Sequence, residues 1–468
     1  MQLSIELPEK IDSILRNRLI YTFKIFCTLS DYDYTENSEY KLSYNDNSDD
    51  KYFKCKSKFF DLKNINDLNI QWYEIYNQSI SDKYGIHKLP VFFLKNDVYE
   101  IDILAEIFIW ISLQFEYVQK NENFGHIYPF KNSLHGHFNL DPKIPYASIW
   151  IEILSNKIKE FYKFETKDNF KKTYIINSHD IDFLPKSNFN SFIRLFKNYL
   201  ISIIRFKDKK YSKQLLKLLI KKFPNYNKLF YNFNILMNIE NEYKAKGIYM
   251  FLIENTHYKD GNYNIDDEIF KLMVKKCIDN GNEIGLHGSY STSDQKGKLT
   301  EELNKLQNEG INISGVRQHW LRFNYNHYFK EVDENKLKYD MTIGFNETNG
   351  FRSGLAAAYP PYDFENETHH KFLEFPLAIM ENTLYFEDKD KYQWYDKSEK
   401  ILKNVYNFKY GGVSILWHDS AFQGTNFPIE FIELYKKILN DKRFEFTDGK
   451  TTFDYFKPIY LKNKLELN

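Results

Sequence analysis

In the second half of the chain, side chains able to do chemistry recur just after short apolar runs: Ser178-His179-Asp180-Ile181-Asp182, then His287, then Arg317-Gln318-His319, and finally His418-Asp419. Aspartates and histidines grouped in this way suit metal coordination and proton transfer. If an extended strand runs through Asp182, its period of two puts Asp180 and Asp182 on one face and His179 on the other. Two carboxylates held that close repel each other unless a cation lies between them or one keeps a proton. An Asp-x-Asp pair on its own fits a solvated turn or a helix cap equally well. The recurrence after successive apolar runs is the stronger signal, because active sites in barrels of parallel strands assemble on the rim formed by the strand C-termini.

The elements that must position these groups follow from the alternation of short apolar runs with helical stretches after Thr173, which predicts βα units and a mostly parallel sheet. Strands are predicted at 173–177, 248–253, 283–286, 314–316, 372–379 and 413–417, and helices at 266–280 and 299–309, each helix followed by a capping glycine, Gly281 or Gly310. An insertion at about 187–246, rich in Leu, Ile, Phe and Lys at helical spacing, is expected to pack as amphipathic helices rather than to touch a membrane. The division expected is an α+β N-terminal domain over 1–168 and an α/β domain over 169–468. The first part opens on a helical pattern at 10–27 and holds an apolar helix around 102–112 that should be buried. His126, His135 and His137 follow it without a third ligand nearby and read as structural or surface residues. His257, His327, His369 and His370 lie in polar, loop-like stretches and read as surface groups.

Lys+Arg and Asp+Glu both number 64 among 468 residues, so the net charge is zero and no basic stripe marks a nucleic-acid partner. The 18% of aromatic residues is explained as well by AT-rich coding as by sugar stacking. Cys27, Cys55 and Cys277 have neither zinc-site nor disulfide spacing and suit a reducing compartment. The first ten residues lack the pattern of a signal peptide, and the apolar stretch 101–118 is broken by Asp102, Glu106, Gln114 and Glu116. A cytoplasmic protein without a membrane span is therefore expected, with no protein partner evident.

The order of Ser178-His-Asp-Ile-Asp182, Ile248-Tyr-Met-Phe-Leu-Ile253, Glu283-Ile-Gly-Leu-His-Gly-Ser-Tyr-Ser291 and Ile415-Leu-Trp-His418 resembles the motifs of the NodB-homology polysaccharide deacetylases, carbohydrate esterase family four. With Arg317-Gln-His-Trp-Leu-Arg322 and Gly350-Phe-Arg-Ser-Gly354, the chain is similar to a bacterial branch that carries an additional N-terminal domain. The resemblance implies a distorted (β/α) barrel, a divalent metal, often zinc, and hydrolysis of N-acetyl groups on an aminosugar-containing glycan or precursor. It also implies that Asp180 is the catalytic base and Asp182 a metal ligand, roles left open to exchange because the two aspartates alternate instead of adjoining. His287 matches the first of the family's two metal-binding histidines, but Ser291 stands where the second belongs. A catalytic zinc usually has three protein ligands, and His319 is the candidate for the third, with orientation of Asp180 or substrate binding as its other possible role.

The chemistry implied is attack of an activated water on an amide carbonyl, with His418 donating a proton to the departing amine and Arg317 or Arg352 fixing the base or an anionic substrate group. Two other readings share these residues: a glycan-binding or scaffolding protein that lost turnover along with the second histidine, and a metal-dependent amidase on a non-sugar substrate. A groove lined near Trp320 and Trp417 would favour sugar.

Overall fold

A computed structural model describes residues 1–45, 48–55, 68–93, 101–120, 127–164, 172–184, 232–423 and 430–468, with a few positions between 196 and 216. Nine strands form the frame of the second half: β1 (Thr173–Ile181), β2 (Ile248–Phe251), β3 (Glu283–Gly288), β4 (Gly315–Gln318), β5 (Tyr339–Asp340), β6 (Leu373–Glu374), β7 (Leu377–Met380), β8 (Gly411–Leu416) and β9 (Phe444–Thr447). Their order is β6-β5-β4-β3-β2-β1-β8-β7, with β9 added to β1, and every pairing is parallel. The two ends of that order are one stretch of chain. β6 pairs with β5, β7 pairs with β8, and only Phe375 and Pro376 lie between them, so the sheet curls round into a barrel-like frame.

The single strand predicted at 372–379 is thus two, because Pro376 has no N–H to continue a ladder. β1 runs four residues beyond its predicted end at 177, and all nine of its residues are buried. Its polar residues are satisfied inside: Ser178 Oγ donates to Ile415 O at 2.6 Å, and Asn177 and His179 both bond Glu240. β5 and β9 have two and four residues, too few to show a period, and were not predicted. The helices Glu268–Asp279 and Lys298–Asn308 end at Gly281 and Gly310, both left-handed as a C-terminal cap requires. Most of the insertion expected at 187–246 lies outside the described residues, as does His126. Its last part is the helix Asn232–Tyr243, which Glu240 ties to β1 and β2.

The first part has its own parallel sheet, with Gln2–Glu6 between Asp33–Tyr34 and Lys41–Ser43, and a buried helix, Ile103–Ile111, as its apolar run predicts. One apolar core continues from this part into the barrel. No helix among the described residues is long and apolar enough to cross a membrane.

The seam between the two parts explains the Gly350-Phe-Arg-Ser-Gly354 motif. Phe351 N donates to Pro142 O and Ala147 N to Gly354 O, both at 2.8 Å. Gly354 is left-handed, and a Cβ there would press on the ring of Trp110, so glycine alone fits. Arg352 is buried and makes a forked ion pair with buried Glu116, while its Nη1 donates to Gly344 O at 2.9 Å. The structure therefore corrects the expectation that Arg352 serves the base or the substrate: Nε and Nη2 are taken by Glu116 across the seam and Nη1 by Gly344 O within the barrel.

Truncating Glu116 leaves a buried guanidinium without its counter-charge. Glu116→Ala is expected to cost about 3–5 kcal/mol of unfolding free energy in a denaturant titration, whereas the double change Glu116→Leu with Arg352→Met should lie nearer the parent protein than either single change. Additive losses in the double variant would contradict this account.

Candidate active site

Asp182, His287 and His319 come together at the C-terminal rim of the sheet, with one ligand atom from each lying within 4.8 Å of the others. His287 is the penultimate residue of β3, in its buried part, and His319 follows β4 directly. The Oδ1 atom of Asp182 lies 3.5 Å from Nε2 of His287 and 3.7 Å from Nε2 of His319. That oxygen is buried and accepts no hydrogen bond.

Each histidine is oriented through its other nitrogen. Nδ1 of His287 is 2.9 Å from Arg317 O, and Nδ1 of His319 is 3.3 Å from Asp260 Oδ1. With both Nδ1–H groups donating outward, both Nε2 lone pairs face Asp182, which is the tautomer that binds metal. Burial lowers the His287 pKa, against the pull of the Asp180 carboxylate, and favours the neutral ring that a ligand requires. An orphaned buried carboxylate oxygen facing two imidazole lone pairs fits a divalent cation, and three protein donors leave a position open on zinc. Ser291 sits in the short turn Tyr290–Ser293, and the third residue of the cluster is His319.

Four consecutive residues missed by the sequence reading hold this arrangement. Asp260 orients His319 and also accepts from Tyr290 N at 2.8 Å. A Cβ on Gly261 would collide with the Asp182 carbonyl oxygen, so a glycine is required for the loop to lie against β1. Asn262 exchanges two hydrogen bonds with the Leu184 backbone, at 2.9 and 2.8 Å, and the Tyr263 hydroxyl donates to Ile181 O. An Asp-Gly turn signal shortly after a rim strand was the available clue.

Asp180 and His418 have opposite electrostatics. Oδ1 of Asp180 accepts from Arg317 Nη1 at 2.8 Å, and Oδ2 faces the cluster, 3.6 Å from Nε2 of His287. Burial works to raise this carboxyl's pKa, but the Arg317 charge, with His287 and His418 behind it, holds it at about 2. Arg317 is fully buried and also donates to Ser178 Oγ, Ser414 Oγ and Met341 O. Just beyond β8, which pairs with β1, Nδ1 of His418 lies 2.8 Å from Oε1 of fully buried Glu381, a residue the sequence does not single out. Burial works to lower the His418 pKa, yet Glu381, aided by Asp182 and Asp180, pushes it up to about 10.

His179 points the other way, to Trp417 O and Glu240. Trp417 is fully buried against Tyr435 and cannot line a groove, whereas Trp320 is 46% exposed beside His319. His135 is buried among Trp110, Tyr146 and Phe345. His327 and His370 are buried rather than on the surface, His370 paired with Asp333.

No protein-family model matches the sequence, and no curated protein matches it. Solved structures similar to it include one from Mycobacterium smegmatis, named as a polysaccharide deacetylase, at 12% identity and a TM-score of 0.39, covering 65% of this chain and 95% of that one. Another, from Bordetella bronchiseptica and named as a polysaccharide deacetylase involved in O-antigen biosynthesis, aligns at 12% identity and a TM-score of 0.27 over 50% of this chain and 85% of that one.

The His418–Glu381 pair makes a pH-dependent contribution whose sign is set by the raised pKa. Its stabilisation is complete below the unfolded histidine value of about 6.5 and is lost as pH climbs through about 10. Glu381→Gln should move the His418 titration, followed by histidine NMR on metal-free protein, down toward neutral pH. An unmoved titration would show that Glu381 is not its cause.

Proposed function

We propose that the chain is a metal-dependent hydrolase of the polysaccharide deacetylase type, removing N-acetyl groups from an aminosugar-containing glycan or precursor. The observation that carries this reading is the convergence of Asp182, His287 and His319 beside Asp180, which Arg317 holds as a carboxylate, with His418 paired to Glu381 at the end of the neighbouring strand β8. Divergent pKa values within one site assign a base and an acid.

A divalent cation on the three ligands, zinc being the best match to an Asp-His-His set, would polarise the amide carbonyl and lower the pKa of a water. Asp180 takes the water's proton at Oδ2, the oxygen that Arg317 leaves free on the side of the cluster. Of the two aspartates, Asp182 suits the ligand role, since its Oδ1 is unpartnered and near both imidazoles. His418 gives its proton to the departing amine, and Glu381 holds the ring in place for that transfer. Arg317 is a positioning residue: it keeps Asp180 ionised and its carbonyl orients His287. The third donor from His319 favours turnover over a purely binding role. We also propose that residues 1–168 form an accessory domain, since none of the clustered residues comes from them.

Acetate release from acetylated aminosugars, with added zinc and after chelation, tests the reading. Asp180→Asn should lower kcat by about 10²–10⁴-fold while zinc content stays near the parent value. Release of acetate only from non-sugar amides would move the assignment to an amidase, and full activity of Asp180→Asn would remove the proposed base.

The ligand set has its own measurement, a chelator competition for zinc. His319→Ala should abolish tight binding, Asp260→Asn should weaken it by about 10–100-fold, and Ser291→Ala should leave it unchanged. Unchanged zinc affinity in His319→Ala would eliminate it as a ligand.

A further inference from the structure

Trp320 is held out in solvent against ordinary backbone preference. It follows His319 directly, is 46% exposed, and has φ 62° and ψ 20°, and the next residue, Leu321, is also left-handed at φ 51°. Two successive bulky residues in that region are uncommon, and such conformations persist where the surroundings enforce them, often at ligand sites. Here Asn346 Nδ2 donates to Trp320 O at 2.7 Å, and Leu321 is buried with Leu377, Met380 and Leu416. The kink buries Leu321 and turns the indole outward beside the candidate metal ligand, with 6.0 Å between the His319 and Trp320 ring centres.

A cation stands beside that indole. Lys259 Nζ lies 5.4 Å from the Trp320 ring centre and 4.7 Å from that of Tyr290, and donates to the Tyr290 hydroxyl at 3.0 Å. No carboxylate among the described residues forms an ion pair with it. Its placement is rigid, because the neighbouring Asp260 bonds both His319 and Tyr290 N, and Tyr290 is stacked on His257 at 4.3 Å and 6°. The half-buried ammonium and the exposed indole therefore share one loop framework with the cluster.

We infer that Trp320 and Lys259 form a substrate subsite for an acidic sugar: the indole stacks on a pyranose face, and the ammonium pairs with a carboxylate or phosphate on that sugar or on its neighbour. This rests on the deacetylase reading of the adjacent cluster and adds the substrate's charge to it. Stacked aromatic faces bind sugars of any charge, so the preference for an anion falls to Lys259.

Titration calorimetry on the full-length, zinc-loaded protein tests this with two matched pairs of probes. One pair is a neutral N-acetylglucosamine tetrasaccharide and a tetrasaccharide alternating N-acetylglucosamine with glucuronic acid. The other is N-acetylglucosamine and its 1-phosphate. The acidic member of at least one pair should bind about fivefold more tightly than its neutral twin, less so at high salt, and the pair that discriminates identifies the anion as carboxylate or phosphate. Lys259→Gln should bring that ratio to about one and Lys259→Arg should keep it, whereas Trp320→Ala should weaken both members. Equal affinities in both pairs, or a ratio that survives in Lys259→Gln, would overturn the subsite even if acetate is released. A charge preference without acetate release from any probe would instead uphold the subsite and reject the deacetylase reading.

Discussion

The buried guanidinium of Arg317 is the constraint on which the site depends. A charge with no access to water must be met by internal acceptors, and Arg317 meets them on several strands at once. Asp180 and Ser178 come from β1, Ser414 from β8, and the Met341 carbonyl from the residue after β5. These bonds cross the interior of the curled sheet and fix its strands in register with one another. The backbone carbonyl of the same residue accepts from His287, so one position sets both the ionisation of the base and the tautomer of a ligand.

Around that anchor the site separates charge. Asp180 and His418 are both buried near Asp182, and burial alone would neutralise each of them. Arg317 prevents this for the aspartate and Glu381 for the histidine, so both remain charged at neutral pH. The cost of burying these charges is offset by the partner each one meets, and the outcome is an acid and a base near a cation-ready cluster.

The N-terminal part contributes through packing. Its buried Glu116 meets Arg352 of the barrel, and backbone hydrogen bonds join Pro142 and Ala147 to the segment 351–354. That segment leads into β6 and β7, whose shared stretch of chain brings the two ends of the sheet together. Tyr325 extends the link, its hydroxyl donating to Glu116 at 3.0 Å.

Residue order alone was enough to place Asp180, Asp182, His287, His319 and His418 on one rim, because parallel strands joined by helices all present the same end and polar residues followed successive apolar runs. The opposite facing of His179 was likewise legible, since strand periodicity is a local property. Arg352 was misjudged because an arginine beside a motif looks the same whether its counter-charge is substrate or a glutamate 236 positions away. Glu381 and Asp260 are hard to read for the converse reason: each orients a histidine distant in sequence, and even where a local signal exists, as in the Asp260-Gly261 turn, it does not say which histidine is met. Trp417 and Trp320 have equal claims as aromatic residues near motifs, yet one is enclosed against Tyr435 and the other is turned outward by the left-handed kink at Trp320 and Leu321. Periodicity and motif order are local and survive in the sequence, whereas counter-charge, second-nitrogen partners and burial arise only when distant segments meet.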